Sequence, residues 1–231
     1  VRHKSIGTLP DTVRQSIYEF FYNEKLGEKE SLLNTLAWFL FHKYKRTTRS
    51  KEESTWTLSS NPYDTSDKDG IIFDDSTMSS DYIVKCSKTG KPIYLTDVFR
   101  LHEIISEETG AAGICGYLAG VIEHIIAIHI IRHLVKNNPN KIKEVLFLMD
   151  RPTGFFGQTA RMHVLMLDFV TWLQPKHNLY LAGLEKSGAF VEHARQVQEM
   201  MQSGTFLLLN DDYIYKYIIP GEPNSINPYA Y

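Results

Sequence analysis

Apolar runs that rise into charged residues set the pattern of residues 145–194, where VLFLMD and LYLAGLEKSG each end at a polar turn. A short, continuously apolar run reads as a buried strand. Asp150 is therefore predicted at the tip of one strand, and Glu185 and Lys186 at the tip of the next. Between them, RPTGFFGQTARMH turns through Pro152, Gly154 and Gly157 into a helix that runs to about Leu173. AFVEHARQVQEMM reads as the next helix and TFLLLNDDYIYKYI as a final strand or strand pair. This succession predicts an α/β protein, a mixed sheet flanked by helices with its functional edge at the carboxyl ends of the strands.

The preceding half is organised differently. Residues 1–44 read as a helical segment with two helices between Leu9 and Tyr44, the first opened by Pro10, with Gly27 marking the break before SLLNTLAWFLFHKYK. Residues 45–81 are rich in Ser, Thr, Asp and Lys and read as a surface insertion, with WTL and GIIF its two possible strands. DYIVKC, SKTG and KPIYL predict a β-hairpin whose Thr-Gly makes the turn. Thr96 is then placed to cap the helix of TDVFRLHEII. Residues 116–135 are predicted as the longest helix, and Glu123 sits there among Gly116, Ala119, Gly120 and Ala127, a small-residue face suited to lying close against a sheet. The reading is of one domain, with residues 82–231 as its α/β core.

Composition narrows the partners and leaves the chemistry open. At 231 residues, 43% hydrophobic and 23% charged, the chain can bury one sizeable core. A formal charge of −2 gives no global attraction for nucleic acid, so any such binding must come from a local basic patch or a partner. Two cysteines make no disulfide framework, which fits a cytoplasmic protein. The apolar stretch at residues 113–135 is interrupted by Glu123, His124, His129, Arg132 and His133, and is read as too polar for a membrane span.

Each candidate residue has a plain alternative. Asp150 can cap the helix after it, Glu123 can pair with an arginine, and Lys186 can be a solvated turn lysine. Asp97, Arg100, His102 and Glu103 form a second polar cluster, open to structural pairing or to direct chemistry. His129 and His133 have the i, i+4 spacing of a metal pair, but without the glutamate of HExxH they read as a surface face. Thirteen tyrosines and twelve phenylalanines can stack bases or fill a core. Phe155 and Phe156 are the aromatic pair expected near a substrate strand, and Trp38, Phe39 and Phe41 either meet a partner or cover the sheet.

The blocks IYLTDVFRLHE, GVIEHIIAIHIIRHL, LFLMDRPTGFFGQTA and LYLAGLEKSGAFVEHA together resemble the NurA nuclease family, over roughly residues 91–217. The most specific part is the strand end carrying Asp150 and Pro152, with Arg151 where relatives usually carry Gly, followed by Gly183 and Lys186. The resemblance implies a ribonuclease H-like sheet with a metal site for Mn²⁺ or Mg²⁺. It also implies exonuclease and endonuclease action on DNA as a homodimer, beside a hexameric HerA-type translocase in DNA end processing or phage defence. Asp150 matches the family's strand-end carboxylate, Glu123 its helical glutamate and Lys186 its lysine. Glu103, Asp97, Arg151 and Glu185 are expected as site neighbours. In such chemistry carboxylates hold the ions that activate water and steady the leaving oxygen, and a lysine stabilises charge on the phosphate.

Two features depart from the family pattern. Its Asp-Gly-Ser strand end has only Asp69-Gly70 and Asp74-Asp75-Ser76 as stand-ins, both in the polar insertion, and its late Tyr and His have no histidine here beyond His193. The chain thus reads as an internal fragment or as a divergent member with an incomplete site, and two functions follow: a metal-dependent nuclease, or a catalytically weak adaptor docking on a translocase ring.

Overall fold

Cap residues fix where the first two helices begin. In the computed structural model, which describes residues 7–27, 30–45, 47, 50–64, 66, 70–108 and 110–219, α1 (Leu9–Asn23) starts at Thr8, whose hydroxyl accepts the Asp11 amide. Arg14, Ile17, Tyr18 and Phe21, at helical spacing, form its buried stripe. Ser31 and Asn34 close a reciprocal capping box at the start of α2 (Leu32–Leu40). That helix is buried nearly all round, as a central helix must be. Phe39 and the following Phe41 have no exposure, so these two are core and do not form the partner surface that the sequence allowed.

The polar insertion is anchored by its strands. β1 (Thr55–Leu58) pairs antiparallel with β2 (Ile71–Asp74), Leu58 opposite Ile71, and buries Leu58 and Phe73 in the core. Asp69, one of the stand-ins for the family's strand end, lies outside the described residues. The predicted hairpin forms from β3 (Ile83–Lys85) and β4 (Pro92–Tyr94), with Gly90 at a φ of 68° in its turn.

The helix expected from Thr96 is replaced by two 3₁₀ turns, Leu95–Phe99 and Leu101–Ile104. Between them Arg100 takes a left-handed φ of 59°, which stops helical propagation. Asp97, not Thr96, supplies the cap, accepting the Tyr94 amide at 2.9 Å.

α3 (Cys115–Asn137) is the longest helix; it packs against α2 and buries Val121, Ile125, Ile128 and Ile131. The stretch Ala112–Asn137 is long and apolar enough to cross a membrane by length and composition alone, its most apolar 18 residues having a mean hydropathy of 1.9. Its small-residue face does not meet a sheet as expected: Gly116 and Ala119 are exposed, with open space beside Gly116.

β5 (Leu146–Met149), α4 (His163–His177) and β6 (Tyr180–Gly183) follow in the expected order, and β5 pairs with β6. These strands are not buried on both faces as their composition implied, since Leu146, Leu148 and Tyr180 are 63%, 58% and 53% exposed. The architecture is mixed α/β and largely helical. Where the sequence suggested one continuous sheet, the described residues carry three separate two-stranded sheets.

The chain forms two units. Unit 1, residues 1–147 and 153–181, holds the core around Phe21, Phe39, Phe41, Phe73, Phe99 and Phe169. Unit 2, residues 148–152 and 182–231, carries the strand tips, α5 (Ala189–Val197) and α6 (Asp211–Tyr217). The expected final strand is absent from the described part of unit 2: TFLLLN is irregular and exposed, and Asn210 then caps α6 by accepting the Tyr213 amide.

Candidate functional site

In unit 2, β5 delivers Asp150 and β6 leads into Glu185 and Lys186. The Leu184 amide donates to the Met149 carbonyl at 3.0 Å, which holds the two strand exits side by side. Lys186 Nζ lies 2.5 Å from Asp150 Oδ2, with the two side chains 63% and 70% exposed. Both residues follow strand ends, and the structure joins them. Glu185 is exposed next to Lys186, and Arg151 is half-buried beside Asp150 in the chain. Elsewhere in unit 2, His193 Nε2 meets the Tyr213 hydroxyl at 2.9 Å, a pairing the sequence reading did not foresee.

The second polar cluster lies in unit 1 and its centre is structural. Arg14 reaches Asp97 with two hydrogen bonds, Nε to Oδ1 at 2.8 Å and Nη2 to Oδ2 at 2.6 Å, and both residues are only 3% exposed. Burial opposes the Arg14 charge, but the hydrogen bonds and charge of Asp97 overcome it, so the guanidinium pKa is raised. Its face lies under the Tyr63 ring at 4.7 Å. Asp97 is thereby fully engaged in holding α1 to the β4 exit, and is not a site neighbour available to substrate.

Glu103 forms a two-pronged pair with Arg100, both bonds 2.7 Å, and Gln158 Nε2 bridges Glu103 and the Arg100 carbonyl at 2.9 and 2.7 Å. Burial opposes ionisation of Glu103, yet the Arg100 and Gln158 hydrogen bonds outweigh it and keep its pKa low. The His102 side chain is buried, neither ring nitrogen is hydrogen-bonded among the described residues, and burial pushes its pKa below the ordinary imidazole range.

Glu123 lies on the exposed side of α3 in unit 1, while Asp150 belongs to unit 2. His129 is not on a surface face: it is 8% exposed, hydrogen-bonded to the Thr35 hydroxyl at 2.9 Å, and held towards the neutral form by burial. Phe155, expected near a substrate strand, is 4% exposed and packs on His124 and Phe39, whereas Phe156 is exposed. Asp74, within the polar insertion, closes β2 and accepts the Ser76 amide at 2.9 Å. Among the described residues no three His, Cys, Asp or Glu side chains gather where they could hold a metal ion.

Sequence reasoning missed a cavity of about 630 Å³ in unit 1, lined by residues including Trp38, Tyr44, Tyr82, Trp172, Arg132 and Lys136. The available signal was Arg132 and Lys136 at helical spacing and the aromatics Trp38 and Trp172, but only packing reveals that different helices bring them to one space.

No family model, curated protein or solved structure matches this chain.

Proposed function

We propose that this chain is a metal-dependent DNA nuclease of the NurA type, with a ribonuclease H-like core, cytoplasmic, and dimeric beside a HerA-type translocase. The observation that carries the reading is the exposed Asp150–Lys186 pair at the tips of neighbouring strands. A solvent-exposed ion pair contributes at most about 1 kcal/mol to folding. The fold therefore has little need of a carboxylate and an ammonium there, whereas phosphodiester chemistry needs both. An incoming phosphate offers Lys186 a second anionic partner. As Lys186 turns to it, Asp150 is released to hold a cation or to accept a proton from water.

A divalent ion takes several oxygen ligands. Asp150 and Glu185, which adjoins Lys186 in the chain, do not by themselves complete such a set. Glu123 keeps its proposed role as a ligand from the resemblance alone, and Glu123→Gln tests it separately. The decisive assay follows labelled single- and double-stranded DNA with Mn²⁺, with Mg²⁺ and with EDTA. The expected result is cleavage that requires the ion and is lost in Asp150→Ala with an unchanged circular dichroism spectrum. Cleavage retained in Asp150→Ala, or no cleavage by the parent protein with either ion, would contradict the proposal.

The adaptor reading is favoured by one observation, the irregular segment in unit 2 that leaves Phe206 and Leu208 80% and 81% exposed. It expects co-elution with a hexameric translocase that survives Asp150→Ala and is lost in Phe206→Ser/Leu208→Ser.

A further inference from the structure

We infer that the unit 1 cavity is a binding site for a base–phosphate unit, the repeating element of a single-stranded nucleic acid. At about 630 Å³ it falls in the range of small-ligand sites. Its lining combines four aromatic rings, Trp38, Tyr44, Tyr82 and Trp172, with three cations, Lys43, Arg132 and Lys136, against the single carboxylate of Glu30. A stackable ring joined to an anion is the ligand class that uses both kinds of group.

The parts are held by different means. Tyr44 packs between Trp38 and Trp172, with ring centroids at 5.1 and 5.2 Å, and Trp38 meets Phe169 edge-on at 5.8 Å, so the aromatic wall is braced by the core. The Tyr44 hydroxyl is buried with no hydrogen-bond partner among the described residues, and a buried polar atom of this kind calls for a ligand or water. Arg132 stacks over Trp38 at 5.4 Å and pairs with Glu30 at 3.0 Å, which keeps the one carboxylate of the lining neutralised. Lys43 pairs with Asp75 at 2.8 Å. Lys136, in the last turn of α3, is exposed and makes no ion pair among the described residues, leaving its charge for an arriving phosphate. A chain of net charge −2 lacks long-range attraction for nucleic acid, so a local site of this kind is where such attraction has to reside.

The site is independent of the strand-tip chemistry, and its test needs no cleavage. Two of the three tryptophans line the cavity, so replacing the third, Trp56→Phe, leaves intrinsic fluorescence as a reporter of the cavity alone. In EDTA, this variant is titrated with a ten-nucleotide oligothymidylate, with thymidine monophosphate and with thymidine. Quenching is expected with the first two, and thymidine is expected to bind at least about tenfold more weakly than its monophosphate, the usual scale of one lost phosphate contact. Tighter binding of the oligonucleotide identifies a strand as the occupant, and equal binding identifies a free nucleotide. Lys136→Glu should weaken oligonucleotide binding about tenfold or more and make its salt dependence shallower by about 0.7 in log–log slope, while Lys136→Arg retains it. Absence of quenching by both phosphorylated probes, thymidine binding as well as its monophosphate, or a Lys136→Glu protein that binds unchanged would each overturn the assignment.

Discussion

The Arg14–Asp97 pair shows how far a single residue type can be read. Both charges were visible in the sequence, but the partners are far apart in the chain, and nothing local says that Asp97 faces α1. Removing one side of a buried pair strands the other, at a cost of about 3–5 kcal/mol. Asp97→Ala should therefore lower the melting temperature by about 6–20 °C, whereas Arg14→Met/Asp97→Leu should recover most of that loss; a double variant no better than the single would contradict the pairing account. His102 gives a pH signature. Its folded pKa lies below its unfolded value of about 6.5, so below that pH the unfolded chain binds the extra proton. Stability should then fall as pH drops below the unfolded value, towards the folded one. Melting curves between pH 7.5 and 5 should show this decline, and His102→Leu should flatten it; an equally steep decline in the variant would assign it to other groups.

At the scale of elements, periodicity and turn chemistry located α1 to α4, the β3–β4 hairpin and the β5–α4–β6 order, because those signals are local; β1 and β2 were visible as possible strands but not as partners. Burial was less legible. VLFLMD and LYLAG are apolar enough for a two-sided core, yet each pairs with just one strand and keeps exposed side chains. TFLLLN has strand composition, but strands need partners, and the described chain provides none. The break at Arg100 was equally hidden, since an arginine carries no signal for a left-handed backbone. Gly157 was legible as a turn but not in its reason: at a φ of 57°, an added Cβ would lie 2.8 Å from the Tyr117 hydroxyl on α3. Gly157→Ala should thus cost at least the left-handed penalty of about 1–2 kcal/mol, measured by urea unfolding. A loss below a few tenths would mean that the turn relaxes freely.

For the whole molecule, the candidate site was legible where chemistry sits at strand tips, as with Asp150 and Lys186, and illegible where helices converge, as around Trp38 and Trp172. With little net charge, any hold on DNA must come from local patches and partners. Light scattering on the eluting protein should accordingly give about twice the 26.6 kDa chain mass, the common two-fold assembly; a persistent monomer that digests DNA efficiently would remove the dimer from the account. The central claim is that the Asp150–Lys186 pair serves chemistry and not stability. Its most direct test measures Mn²⁺-dependent DNA cleavage and melting temperature on the same preparations of the parent protein, Asp150→Asn and Lys186→Ala. The account expects rates to fall by about 10²-fold or more, with melting temperatures within about 4 °C of the parent. Unchanged rates, or rates that fall only in step with melting temperature, would contradict it.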